Sequence, residues 1–194
     1  MPTAEERSDE ELMDLHRQGD TCAFESLVRR YADPLLGFLV RTTQDRAAAE
    51  DLFQETFLRV HQKSGSFRPG ARFKSWLYAI AAHLAVDRHR RQARAPTLSL
   101  DAGEEDRLID HLPDSAPGPA QAADSADQRA RVRAAVENLS PRQRTTLELA
   151  YFEGLSYPEV AAAMGCTVGT VKTQVSRALH ILARCLPDPR KEHA

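Results

Sequence analysis

Apolar residues recur at helical spacing along both ends of the chain, and no stretch alternates with the period of two that a half-buried strand requires. The spacing predicts a helix over Glu10 to Gln18 that ends at Gly19. A second helix follows over Thr21 to about Tyr31, capped by Asp20, with Phe24, Leu27 and Val28 inward. Asp33 and Pro34 open a third over Leu35 to Thr42, because proline is tolerated in a first helical turn. Asp45 caps a fourth, Arg46 to about Lys63, whose inner side carries Leu52, Phe53, Phe57 and Val60. The pattern breaks at Ser64-Gly65-Ser66, and a fifth helix, Ser75 to about Arg91, turns Leu77, Ile80, Ala81 and Leu84 inward.

Local signals are stronger near the C-terminus. Ser140-Pro141-Arg142-Gln143 and Ser156-Tyr157-Pro158-Glu159 both pair a serine cap with Gln or Glu three residues on, and both carry an early proline. They predict helices over Pro141 to Phe152 and Tyr157 to Met164, ended by Gly154 and Gly165, before a last helix from Val168. Helix, short turn, helix is the spacing of a helix-turn-helix, whose second member enters the major groove. At 100° per residue, Val171, Val175, Ala178, Leu179 and Leu182 form its inner side. The outer side carries Thr170, Thr173, Arg177, His180 and Arg184, with Lys172 and Gln174 on the flanks. Arg can take guanine and Gln adenine, while Lys and Thr hold phosphates. The plainer reading is a solvated helix face.

Charge changes the picture from one fold to two domains and a tether. The net charge of −2 over 194 residues hides segments of opposite sign. Residues 95–128 carry Arg107 against eight acidic groups and four prolines, with almost nothing from which to build a core, and read as a flexible acidic linker. Residues 129–194 are net +4, and residues 57–94 hold nine basic groups against Asp87 alone. The expected architecture is all-α: one helical domain over 8–94, the linker over 95–128 and a helix-turn-helix domain over 129–187. A positive surface on each domain suits a polyanion, and the acidic first third suits a basic partner.

Other classes fall away. The longest nearly apolar stretch, Trp76 to Val86, is too short for a bilayer span and contains His83. The first fifteen residues are acidic, unlike a secretory signal, so a cytoplasmic location is expected. Cys22, Cys166 and Cys185 form no C-x-x-C pair, and His83 with Asp87 lacks a third metal ligand, so neither metal nor cofactor is expected. No phosphate-binding loop is present, and the chain is read as a binding protein rather than an enzyme.

Two further surfaces carry chemistry. On the fourth helix Asp51, Gln54, Glu55 and Arg59 project away from the core stripe, either as a docking ridge or as an ordinary solvated face. From Phe67 to Trp76, rings interleave with Arg68, Arg72 and Lys74. Exposed rings stack on unpaired bases at about 1–3 kcal/mol each while cations follow the phosphates; alternatively, Phe67, Phe73 and Trp76 anchor the loop to the core. Arg88, Arg90, Arg91 and Arg94 crowd the end of the fifth helix, more cations than the helix dipole requires.

These residues resemble bacterial sigma factors of the sigma-70 family, specifically the small extracytoplasmic-function group. Region 2 of that family is matched by Ala23-Phe24-Glu25, by Ala49-Glu50-Asp51-Leu52-Phe53-Gln54-Glu55-Thr56-Phe57-Leu58-Arg59-Val60, and by Phe73-Lys74-Ser75-Trp76-Leu77-Tyr78-Ala79-Ile80-Ala81 with Asp87 and Arg90-Arg91. Region 4 is matched by Leu139-Ser140-Pro141-Arg142-Gln143-Arg144 and by Leu155-Ser156-Tyr157 through Arg177-Ala178. The resemblance implies that Asp51, Gln54, Glu55 and Arg59 dock on the β′ clamp helices of core RNA polymerase, with the β flap as a second contact. It implies that Phe67, Arg72, Phe73, Lys74, Trp76, His83, Arg88, Arg90 and Arg91 capture single-stranded minus-10 DNA. Thr170, Lys172, Thr173, Gln174, Ser176, Arg177 and His180 would read the duplex minus-35 element. The linker would lie in the polymerase cleft, and an anti-sigma factor is an expected partner. His83 stands where Asn is common in the family, and Gln174 and Ser176 where Arg and an aromatic are frequent, so no relative's promoter sequence transfers. The rival is a dimeric helix-turn-helix regulator that works without polymerase; it leaves the acidic ridge and the aromatic loop without a role.

Overall fold

The computed structural model describes residues 7–94 and 134–185, and the regular structure among them is helical throughout. The expected linker over 95–128 lies outside the described residues. Helix α1, Asp9–Arg17, starts behind Ser8, whose Oγ accepts the Glu11 N–H while the Glu11 carboxylate accepts the Ser8 N–H. It stops where Gly19 takes φ +102°, a conformation that disfavours any residue with a Cβ.

The two helices expected on either side of Pro34 are one, α2, Thr21–Thr43, with Pro34 inside it. An interior proline costs about 3 kcal/mol. Against that, Leu27, Tyr31, Leu35, Phe38 and Leu39 form one continuous buried stripe across the proline, and each large apolar side chain gains about 1.5–3 kcal/mol on burial. Packing therefore wins, and Pro34 points to solvent. Helix α3, Arg46–Gln62, is capped by Asp45, which accepts the Ala48 N–H at 3.0 Å.

Helix α4, Phe73–Arg94, begins two residues earlier than Ser75. Its cap is not local: the Phe73 N–H donates to Glu10 Oε1 of α1 at 2.9 Å, a partner that sequence spacing does not reveal. Its buried face is Phe73, Leu77, Tyr78, Ala81, Ala82, Leu84 and Ala85, while Ile80, expected inward, is only partly buried. Edge-to-face rings tie α4 to α2, with Phe38 and Tyr78 centroids 5.2 Å apart and Tyr31 and Phe73 5.5 Å apart.

In the second half, α5, Pro141–Leu147, is followed by a π-helical turn over Glu148–Phe152, so the single α-helix expected to Phe152 changes its winding after Leu147. Helix α6, Tyr157–Ala163, and helix α7, Val168–Cys185, complete the helix-turn-helix. Both capping boxes form: Gln143 Oε1 accepts the Ser140 N–H at 2.9 Å, and Glu159 Oε2 accepts the Ser156 N–H at 2.8 Å. Val171, Val175 and Ala178 are buried as expected, but Leu179 is 41% exposed. The inner stripe instead continues along Ile181 and Leu182, which pack with Leu139, Leu147 and Ala178.

The two halves pack against each other. Helix α6 lies on α4, and the core of the first half continues without interruption into Leu149, Leu155, Val160, Ala161 and Met164.

Candidate functional site

On α3 the core stripe consists of Ala48, Ala49, Leu52, Thr56, Phe57 and Val60. The opposite ridge is open: Asp51 has 78% of its side chain exposed, Gln54 is exposed, and Leu58 is 50% exposed beside them. Glu55 and Arg59 pair with each other at 2.7 Å one turn apart. Arg88 of α4 approaches Asp45 at 3.7 Å and Asp51 at 4.0 Å, which places an expected DNA contact at the edge of this ridge.

The interleaved segment before α4 is anchored by its rings. Phe67 and Phe73 are 4% and 0% exposed, and Trp76, partly buried, has its ring centroid 5.2 Å from that of Phe67 and 6.3 Å from that of Phe73. Of the two readings of this segment, loop anchoring is the one that the burial of Phe67 and Phe73 meets. Neither ring offers a face for stacking here. Arg72, Arg90, Arg91 and His83 are exposed. His83 Nδ1 lies 2.8 Å from the Ala79 carbonyl.

Three carboxylates from the second half come down on the first, Glu159 and Glu153 at the start of α4 and Glu148, with Glu153, at Arg41 of α2. Glu159 Oε1 accepts Ser75 Oγ–H at 2.7 Å and an Arg72 guanidinium N–H at 3.1 Å. Hydrogen bonds from the Ser156 and Ser75 hydroxyls lead in pulling its carboxyl down to about 2, helped by the Ser156 N–H and Arg72. Glu153 approaches Lys74 Nζ at 3.9 Å and accepts from Arg41 at 3.1 Å. Glu148 accepts Arg41 Nε–H at 2.6 Å. Glu148 is buried, and desolvation pushes its carboxyl up despite Arg41. Burial, and after it the Glu153 carboxylate, raises the Tyr78 phenol far above its usual range. The α6–α7 turn also meets α4: a Cβ on Gly165 would sit 3.8 Å from His83 Nε2.

Sequence reasoning missed Arg41, Glu148 and Glu153. In an ordinary α-helix residues five apart point to different sides. The π turn closes a hydrogen bond from the Glu153 N–H to the Glu148 carbonyl at 3.0 Å and brings both carboxylates to one guanidinium. Glu159 was visible only as a capping residue. Arg144 is a further interdomain group: buried, it donates to the carbonyls of Val136 at 3.0 Å, Leu139 at 3.3 Å and, across the halves, Thr42 at 3.4 Å at the end of α2.

Among the described residues, the outer face of α7 makes no such contact with the first half. Lys172, Thr173, Ser176, Arg177 and His180 are exposed, and Thr170 and Gln174 are half-buried. Thr167 caps the helix by accepting the Thr170 N–H at 3.1 Å, and Thr173 Oγ1 donates to the Gly169 carbonyl at 3.0 Å. Ser176, Arg177 and His180 share a shallow groove with Gln143 of α5 and Ile181. Among the described residues no group of His, Cys, Asp and Glu is arranged to hold a metal ion, and no helix is long and apolar enough to cross a membrane.

Two protein-family models match this arrangement: Sigma-70 region 2 over residues 27–95 and Sigma-70, region 4, over residues 129–182. The chain is 33% identical over 183 residues to the RNA polymerase sigma-H factor of Pseudomonas aeruginosa, covering 93% of this chain and 95% of that protein. It is 36% identical to the ECF RNA polymerase sigma factor SigM of Mycobacterium tuberculosis, over 93% of this chain and 86% of the relative. Among solved structures, CnrH in complex with the cytosolic domain of CnrY has the same fold, with a TM-score of 0.62 at 23% identity over 92% of this chain and 96% of that one. The two family models match in chain order and the relatives align over nearly the whole chain, and the chain belongs to the extracytoplasmic-function group of the sigma-70 family of RNA polymerase sigma factors.

Proposed function

We propose that this sigma factor docks on core RNA polymerase through Asp51, Gln54, Glu55 and Arg59 of α3, and directs it to promoters by holding an opened minus-10 strand on α4 and reading duplex minus-35 DNA with α7. The observation that carries the docking assignment is the open ridge on α3, where Asp51 is 78% exposed and Leu58 is left half in solvent. An exposed apolar side chain flanked by carboxylates suits a basic, partly apolar helical surface such as the polymerase clamp helices. Melting needs no hydrolysis in this scheme: binding energy traps unpaired bases and cations follow the backbone. A second polymerase contact, at the β flap, is assigned to region 4. A protein partner of the anti-sigma kind is proposed as well, since CnrH is bound to CnrY, and the sigma factor RpoE of Bartonella quintana is bound to the anti-sigma factor NepR.

The test is a pull-down of core polymerase with Asp51→Arg plus Glu55→Arg, followed by run-off transcription on a promoter library. Both positions face solvent or its margin, so circular dichroism should be unchanged while polymerase capture falls at least tenfold and specific transcripts vanish. Wild-type capture by the variant would discard the docking face.

A further inference from the structure

Arg72, just before helix α4, and Lys74 and Ser75 in its first turn are each met by a carboxylate of region 4. Glu159 takes both Ser75, at 2.7 Å, and Arg72, at 3.1 Å, while Glu153 stands 3.9 Å from Lys74. We propose that Glu153 and Glu159 form a self-masking latch: in the free protein they occupy the donors that otherwise hold a single-stranded nucleic-acid backbone, and a strand must displace them to bind. The proposal rests on the assignment of Arg72 and Lys74 to the minus-10 strand.

Three observations carry it. Carboxylate and phosphate oxygens are alternative acceptors for the same guanidinium, ammonium and hydroxyl donors, so occupancy of the single Ser75 hydroxyl proton is exclusive, while at Arg72, 70% exposed, Glu159 takes one N–H and sets a carboxylate charge against an incoming phosphate. The latch is built rather than incidental. Glu159 is already fixed by the Ser156 N–H and hydroxyl, and Glu153 is fixed by the π turn and by Arg41, which also grips Glu148. Finally, the covering is selective. Helix α6 lies on α4 while the α3 ridge and the outer face of α7 stay open.

Geometry also requires the latch to open during initiation. Elements about 25 base steps apart along duplex DNA are roughly 85 Å apart at 3.4 Å per step, whereas α4 and α6 touch. The roughly 40 residues between Arg94 and Ala134 reach up to about 140 Å when extended, so the chain can span the open state. Polymerase docking through the uncovered ridge can therefore precede exposure of the strand-binding face, and the free protein is kept off single-stranded nucleic acid.

The experiment compares the full-length protein with Glu153→Gln plus Glu159→Gln. Glutamine keeps the size of both side chains and still serves in a capping box. Small-angle scattering reports opening, and a fluorescent single-stranded DNA pool of random sequence at low salt reports strand binding. The expected result is a larger radius of gyration and at least tenfold tighter binding, with the gain lost when Arg72→Ala and Lys74→Ala are added. A variant that folds but stays as compact as wild type, or a wild type already extended, overturns the latch and leaves the strand assignment standing. A variant that opens without binding DNA more tightly overturns the assignment of Arg72 and Lys74, and the masking with it.

Discussion

Along α7, Lys172, Ser176, Arg177 and His180 stand in solvent; at the start of α4, Arg72, Lys74 and Ser75 are met by Glu159 and Glu153. Both surfaces combine cations with hydroxyls, and both were read from sequence as nucleic-acid faces. They differ in what the rest of the chain does to them. Helix α7 turns its apolar stripe onto α5 and α6 and keeps its polar side free. Helix α4 is gripped twice, by its own bundle through Tyr78 and Leu77 and by α6 on a further side. A duplex-reading helix needs only to be presented, whereas a surface that binds any exposed strand gains from being covered until it is wanted.

The sharpest way to break this contrast is to loosen the packing that joins the halves, and Arg144 offers the largest effect. Its guanidinium serves carbonyls at the ends of two separate segments, Val136 and Leu139 on one and Thr42 on α2, and burial lowers its pKa. Arg144→Ala leaves buried carbonyls short of a donor and opens a cavity, so a loss of about 2–4 kcal/mol is expected in denaturant unfolding. Arg144→Met refills the volume without a buried charge and should recover about half of that. Equal losses for the two would show that the carbonyl cap alone, and not packing, is at work, whereas full recovery by methionine would show the reverse.

Sequence and structure part company where contacts are non-local. The capping boxes at Ser140 and Ser156, the cap at Asp45 and the inner stripe of α7 as far as Ala178 are local patterns, and each is where the spacing predicts it. Pro34 misled because the stripe from Leu27 to Leu39 outweighs an internal proline. The start of α4 was misplaced because Glu10, 63 residues away, supplies its cap. The interdomain grip was illegible for a related reason: Arg41 looks like a cation near a helix end, and the pairing of Glu148 with Glu153 exists only because the helix rewinds as a π turn. The rings of the Phe67–Trp76 segment were legible as a cluster, but only burial separates an anchor from a stacking platform.

A smaller effect sharpens the open side of the comparison. Arg177 is exposed on α7 and lines a groove with Gln143 and His180. If it reads a base, Arg177→Ala should weaken binding to a minus-35 duplex selected from a library by about 1–3 kcal/mol and relax preference at one position. Because this face is uncovered, the loss should be the same in the wild-type background and in Glu153→Gln plus Glu159→Gln. Electrophoretic mobility shifts in the two backgrounds make the comparison. An effect of Arg177→Ala that depends on the latch would mean that the two nucleic-acid faces are not independent.

The smallest expected effect concerns acid. The Glu159 carboxyl lies near 2 in the folded protein, held there first by the Ser156 and Ser75 hydroxyls, against an ordinary value of 4.5. A carboxylate with a depressed folded-state pKa stabilises fully above its unfolded value, and that contribution drains away as pH falls from about 4.5 towards 2. Glu148 runs the other way: burial raises its pKa, so protonation relieves a penalty and does not remove a support. The interface should therefore lose Glu159's contribution on acidification while Glu148 offsets part of the loss. Glu159→Gln cannot titrate, so the difference in melting temperature between wild type and this variant should be constant from pH 7 to about 5 and shrink below 4.5. Part of the support comes from Ser156, within region 4, and part from Ser75 and Arg72 across the interface. Repeating the titration in Ser75→Ala plus Arg72→Ala separates them: if the acid-sensitive difference survives intact, Glu159 is held by its own helix alone, and its contacts across the halves contribute nothing to the closed state.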